Sequence, residues 1–278
     1  MAVKVMTEDA YPPLLISYLS FCKYRASYKK DGVLDLSEAG WFYPTTLLPL
    51  AELMNTFGPQ LKYKAPKNRN ANGYLSFIMS NPPQHKTDSY IPIILADRLN
   101  DTYVGQIYNL ICGKQQQNMN QENTFKYIIG ELVANIDEHS KCNRSIFMAQ
   151  MYTKSGFLEA AFFDNGITIG GSFREAGIYN EKMNDADCLT SAIKGTSTKK
   201  EGGRGRGLPS TIKILKALNS DIWIVSGKGA IYLNGTDKYL KEDRVYRLDD
   251  SLGLNGTLIS FRIHPPINQV NIYEGGYL

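Results

Sequence analysis

A chain of 278 residues, 43% hydrophobic and 21% charged, has the make-up of a folded globular protein and excludes a disordered or fibrous one. Its 31 basic and 27 acidic residues leave a formal net charge of +4, too balanced to demand a nucleic-acid partner, so none is expected and any basic patch must be local. The four cysteines, Cys22, Cys112, Cys142 and Cys188, form no Cys-x-x-Cys pair and read as free thiols of a reducing compartment. Residues 1–9 carry acids where a secretory signal would be apolar, and no apolar run approaches the roughly 18 residues that span a bilayer. The expected location is the cytoplasm, with no membrane contact.

In chain order, residues 33–36 read as a short buried strand, followed by a helix over 44–54. Leu47, Leu48, Leu50, Ala51 and Met54 share one face of it, and Pro44 suits its first turn. A second helix is expected over 71–79 and a strand over 90–95, where Pro92 demands an edge or a bulge. Residues 58–70 and 81–88 are rich in Pro, Asn, Lys and Gln and read as loops. A helical pattern over 101–117 (Tyr103, Ile107, Leu110, Ile111) runs into Gln115-Gln116-Gln117-Asn118, the expected domain boundary. This divides the chain into a small α/β domain, 1–114, and a larger domain, 115–278.

Past the boundary, Asn123 or Thr124 is placed to cap a helix ending at His139, with Phe125, Ile128, Ile129, Leu132 and Ile136 on its buried face. Strands over 144–152 and 157–163 with a Ser155-Gly156 turn form a hairpin by spacing. Further strands are expected at 221–226, 230–233, 245–248 and 257–263, and a helix at 208–218. The expected fold class is α+β or α/β with two domains. The second domain is a two-layer sandwich whose mixed, mostly antiparallel sheet carries helices on one face.

Four segments carry chemistry. On the helix ending at His139, Glu131 and Asn135 fall on one stripe beside the apolar face. An Asn carbonyl is a hard oxygen donor for Mg²⁺, and a Glu one turn away can act as a base on a water. Asp164 follows an apolar strand, placing its carboxylate where that strand ends, and Gly166 lets the backbone approach a flat ring. Gly203, Gly205 and Gly207 precede Leu208-Pro209, where a helix begins; unhindered amides and a helix N-terminus make an anion site, to which Lys199, Arg204 and Arg206 add charge. Gly256-Thr257 adds a small hydroxyl. The glycines match neither a Walker P-loop nor a Rossmann fingerprint.

The order Glu-x-x-x-Asn, Asp-x-Gly, an intervening lid segment, Gly-x-Gly-x-Gly-Leu and a late Gly-Thr resembles the GHKL, or Bergerat-fold, ATP-binding superfamily over residues 120–264. That superfamily includes gyrase-type topoisomerases, mismatch-repair ATPases, sensor histidine kinases and anti-sigma-factor kinases. The resemblance implies ATP and Mg²⁺ as ligands, with Asn135 on the metal, Asp164 on the adenine amino group, Gly203, Gly205, Gly207 and Leu208 about the phosphates, Thr257 behind the adenine, Glu131 as general base and a lid over 186–207. Thr168 replaces the second glycine of the family's Asp-x-Gly-x-Gly, which implies a shifted or stiffer loop. None of the three histidines sits in a phospho-acceptor pattern, so a complete sensor kinase is not expected.

Residues 33–37 with the turn into Pro44-Thr45-Thr46-Leu47 resemble the strand and helix of STAS-like domains, which implies a phosphorylatable Thr45 or Thr46 and a STAS-type or other regulatory protein partner. Three readings stay open: a Mg-ATP-hydrolysing regulatory protein, a serine/threonine protein kinase of the partner-switching type acting on a partner or on its own Thr45 or Thr46, and a non-catalytic ATP-binding module. Many GHKL relatives form homodimers, and no segment here marks an interface.

Overall fold

The computed structural model describes residues 11–79, 89–96, 101–112, 119–196, 198, 207–236, 240, 242–265, 267–273 and 276. The amino-terminal elements are α1 (Pro13–Asp31), β1 (Val33–Asp35), α2 (Pro44–Phe57), β2 (Lys62–Lys64), α3 (Arg69–Met79), β3 (Tyr90–Leu95) and α4 (Asp101–Cys112). They are followed by α5 (Met119–His139), β4 (Ser145–Tyr152), β5 (Phe157–Asp164), α6 (Thr168–Glu175), α7 (Asp185–Ile193), α8 (Gly207–Ala217), β6 (Ser220–Gly227), β7 (Gly229–Leu233), β8 (Arg244–Arg247) and β9 (Leu254–Ile263). Seven strands form one antiparallel sheet in the order β3-β4-β5-β9-β6-β7-β8, and β1 and β2 form a separate parallel pair.

Side chains alternate across the large sheet between two cores. Leu158, Ala160 and Phe162 of β5, Ile222 and Ile224 of β6, and Ile231 and Leu233 of β7 pack with Ile107 of α4, Ile128 and Leu132 of α5 and Ile214 of α8. The intervening residues, Ala161 and Phe163, Trp223 and Val225, Ala230 and Tyr232, pack with Tyr18 and Phe21 of α1, Leu47 and Leu50 of α2 and Leu75 of α3. The sheet is therefore covered on both faces, in place of the expected single helical layer. The physical reason lies in strands such as β5 and β7, in which every residue is buried: an antiparallel sheet with one wet face alternates apolar with polar, whereas a doubly covered one reads as a continuous apolar run.

The first part of the chain is built into this sheet. β3 pairs with β4 at the sheet edge, with a register irregularity between Ile91 and Ile94 that accommodates Pro92, as its missing N–H requires. Residues 113–118, where the boundary was expected, lie outside the described residues; the elements on either side of 114 share the sheet and its cores. Among the described residues, no helix is long and apolar enough to cross a membrane, and Cys22, Cys142 and Cys188 are free.

A buried polar cluster pins the amino-terminal layer to the sheet. Glu159 of β5 is fully buried and pairs with Arg262 of β9, whose Nη2 lies 2.5 Å from Glu159 Oε2. The other carboxylate oxygen accepts from the backbone N–H of Thr45 at 3.1 Å and from its hydroxyl at 2.7 Å. The Arg262 guanidinium lies over the Phe157 ring, 3.9 Å from its centroid. Every partner is another buried group, which is what burial of two charges requires.

Candidate functional site

Two polar clusters lie on the sheet face covered by α4, α5 and α8. The first belongs to α5 and α8. Helix α5 begins at Met119, a turn before the expected cap, so Thr124 is an interior residue; it is fully buried and its hydroxyl donates to Val270 O at 2.9 Å. Further along, Glu131 and Asn135 are half-buried and meet the first residue of α8. Gly207 leaves no space for a side chain, since a methyl group there would lie 2.3 Å from Glu131 Oε2 and 3.8 Å from Asn135 Nδ2. That nitrogen is sealed from solvent with no hydrogen-bond partner among the described residues. Tyr127, one turn before Glu131, hydrogen-bonds with Ser210 and Glu131; burial, and then the Glu131 charge, hold its phenol above the ordinary range.

The second cluster is a row across three neighbouring strands. Ser226 of β6 is registered with Thr257 of β9, and Thr257 with Asp164 of β5. By alternation with Leu158, Ala160 and Phe162, Asp164 faces the α5 layer. The Ser226 and Thr257 hydroxyl oxygens are 2.9 Å apart, and Ser226 Oγ also accepts from the Ile169 N–H at 2.8 Å, fixing the start of α6. Asp164 is 4% exposed, and no cation among the described residues pairs with it. Burial lifts its pKa to about 6 against the partial opposition of hydrogen bonds from the Gly166 and Thr257 backbones, the former at 2.9 Å. A buried carboxylate with only two neutral donors has acceptor capacity left for a ligand.

Ser140, just past α5, joins the clusters. Its carbonyl accepts from the Ile167 N–H at 2.7 Å, and a methyl group on Gly166 would lie 2.1 Å from that oxygen. The Asp164 loop is thus seated on the end of the helix that carries Glu131 and Asn135. Thr168 holds φ +68°, a left-handed conformation natural to the glycine expected there, and its Oγ1 accepts from the Gly171 N–H at 3.0 Å. The loop keeps a glycine-like path, with a hydroxyl cap added.

Asn165 points the other way, toward the amino-terminal layer. Its Nδ2 donates to Glu52 Oε1 of α2 at 2.8 Å and to Asn143 Oδ1 at 2.7 Å, and its Oδ1 accepts from the Arg144 N–H at 3.1 Å. Arg144 Nε in turn lies 3.2 Å from Glu52 Oε2.

Of the expected site residues, Glu131, Asn135 and Gly207 meet in the first cluster, Asp164, Gly166 and Thr257 belong to the second, and Leu208 packs on the adjoining core. Lys199, Gly203, Arg204, Gly205 and Arg206 lie outside the described residues. Residues 186–193, the start of the lid expected over 186–207, belong to the packed helix α7, with Ala186, Cys188 and Leu189 buried. Asn184 and Asp187 close a capping box at its start, a signal legible in the sequence but not used. Thr198 lies 3.0 Å from His139 Nδ1 through its hydroxyl, which also accepts from Ser172 at 3.2 Å.

Sequence reasoning missed Tyr127, Ser140, Ser210 and Ser226. Only Ser226 had a usable signal, since it follows Ile222 and Ile224 on one strand face. Thr45 and Thr46, read as phospho-acceptors, are buried, with both hydroxyls engaged, Thr45 to Glu159 and Thr46 to Ser17 O at 2.7 Å. Comparison with protein-family models, curated proteins and solved structures found no match.

Proposed function

We propose that the chain is a Mg-ATP-binding regulatory protein of the GHKL type that hydrolyses ATP. The observation that carries this reading is Asp164, a carboxylate buried on the α5 side of the sheet with no counter-cation among the described residues. Ionised, it accepts a hydrogen bond from the exocyclic amino group of adenine, while Thr257 and Ser226 line the same strand ends and Gly166 keeps the adjoining backbone low. In this reading the phosphates extend toward Asn135 and the start of α8.

Two observations bear on magnesium. Among the described residues no group of three His, Cys, Asp or Glu side chains offers a dedicated metal cage. Asn135, half-buried beside the Glu131 carboxylate, has its Nδ2 donor sealed and unpartnered among the described residues, which leaves its Oδ1 as the atom that would meet a metal. This donor set fits an ion carried mainly by phosphates and water, with Asn135 as its protein ligand. When bound, magnesium neutralises charge on the phosphate oxygens. Glu131 takes the proton of the attacking water, and the Tyr127 hydroxyl, itself hydrogen-bonded to Ser210, orients that carboxylate.

Burial of Thr45 and Thr46 argues against transfer to the chain's own α2 under the kinase reading, because a phosphate on either would displace the helix from the sheet. The reading is tested by titrating the protein with ATP, with and without magnesium, and separating the products. Wild type is expected to release inorganic phosphate, and Glu131→Ala to bind ATP but hydrolyse it about 10²- to 10⁴-fold more slowly. Equal, near-zero rates would remove the catalytic role, and absence of ATP binding would overturn the proposal.

A further inference from the structure

The near-neutral charge of the chain conceals an uneven distribution. Residues 11–79 hold eight basic residues against four acidic ones, so this quarter of the sequence carries the whole chain's net charge of +4. Much of the excess is displayed around the β1–β2 pair. Its register sets Lys62 beside Val33, two residues past the end of α1, where Lys29 and Lys30 occupy the last turn. Arg69 opens α3 a few residues beyond β2. Lys29, Lys30, Lys62 and Arg69 are exposed and have no ion-pair partner among the described residues. Lys64 and Lys67, between them, are matched to Asp35 at 3.0 Å and Glu38 at 2.6 Å.

Aromatic rings alternate with these cations along the chain; on β2 Tyr63 leaves the ribbon on the face opposite to Lys62, so one ligand meets both by crossing the open edge of that strand. Tyr63 is 50% exposed, although its registered neighbour Leu34 is fully buried, and no ring packs on it among the described residues. Phe57, 37% exposed, leans on Tyr28 with ring centroids 4.6 Å apart, beside Lys29 on the same helix end. The lysines at the end of α1 also serve its carbonyl terminus, whereas among the described residues no side chain forms an ion pair with Lys62 and no ring packs on Tyr63. Exposed rings set among unpaired cations suit a ligand that alternates flat faces with phosphates.

We propose that the β1–β2 ribbon and the end of α1 bind single-stranded nucleic acid. Lys29, Lys30, Lys62 and Arg69 meet backbone phosphates, and Tyr63 stacks on a base. This surface is separate from the ATP site and does not depend on the reading of that site.

The test is fluorescence anisotropy with a labelled single-stranded oligonucleotide of about 20 nucleotides, over a salt series. Affinity is expected to fall with salt by about 0.7 logarithmic units per decade for each phosphate neutralised. Lys62→Glu should weaken binding about tenfold and flatten that slope. Tyr63→Ala should weaken it by a similar factor of about ten with the slope unchanged, and should leave the affinity for inorganic polyphosphate as it was. Both positions are exposed, and a thermal melt matching wild type shows that each variant is folded. The proposal is overturned by no binding at low salt, by a Tyr63→Ala variant equal to wild type, by a duplex of the same sequence binding as tightly, or by an acidic peptide binding more tightly than the oligonucleotide.

Discussion

Strand β5 carries two buried carboxylates five residues apart, and they lead opposite lives. Glu159 faces the amino-terminal helices with its charge matched by Arg262 and the two donors of Thr45. Asp164 faces α5 with backbone donors but, among the described residues, no cation. One strand thus presents a satisfied charge to one layer and an unsatisfied one to the other. Burial alone does not mark a functional residue; burial without a matching charge does, because a fold gains nothing from keeping such a group unless something else completes it.

The largest expected effect comes from breaking the satisfied pair. Glu159→Ala leaves the Arg262 guanidinium buried and unmatched and should lower stability by about 3–5 kcal/mol in urea unfolding. The unsatisfied carboxylate should behave with the opposite sign. Because burial raises the Asp164 pKa from 3.8 to about 6, the folded state holds this proton more tightly than the unfolded chain. The group's contribution is complete below the unfolded value, declines as pH rises through the window to about 6, and is then flat, a loss of about 3 kcal/mol by linkage. Asp164→Asn keeps one acceptor for the Gly166 amide and removes the charge. Thermal melts across that window should show a flatter pH dependence and, above pH 6, a variant more stable than wild type that no longer binds ATP. A variant less stable than wild type at pH 8 would erase the contrast between the two carboxylates.

The smallest effect concerns Thr168, a β-branched residue in the left-handed region. Thr168→Asn relieves part of that strain and keeps a side-chain acceptor for the Gly171 amide, so a gain of about 1 kcal/mol is expected in the same melts. No gain would mean that the loop beside Asp164 relaxes in another way.

The strands were legible in the sequence because β4, β5, β6 and β9 are long apolar runs separated by turn residues. The same runs held the clue to the second helical layer, since Phe157 to Phe163 shows one charged residue where a half-wet strand would show three or four polar ones. Helix α1 was illegible because its buried face includes Ser17, Tyr18, Cys22 and Tyr24, polar types of which Tyr18 and Cys22 find their partner, Leu252 O, only in the folded chain. Helix α6 was hidden by Gly170 and Gly171. In the site, spacing placed Glu131, Asn135 and Asp164 on elements that converge, because helical and strand periods are local properties. Ser226 acquires meaning only through a partner 31 residues away, and Tyr127, though one turn from Glu131, is completed by Ser210, 83 residues on.

The side chains of Asp164 and Asn165 leave the chain in opposite directions, one onto the face covered by α5 and the next onto Glu52 of α2. A tether of one peptide unit therefore separates the base-recognition carboxylate of the proposed site from the layer that bears the basic ribbon. Any shift of that peptide must either drag the α2 carboxylate with it or tear a 2.8 Å hydrogen bond. A ligand that displaced that peptide would meet its first resistance at helix α2, through the Asn165–Glu52 hydrogen bond.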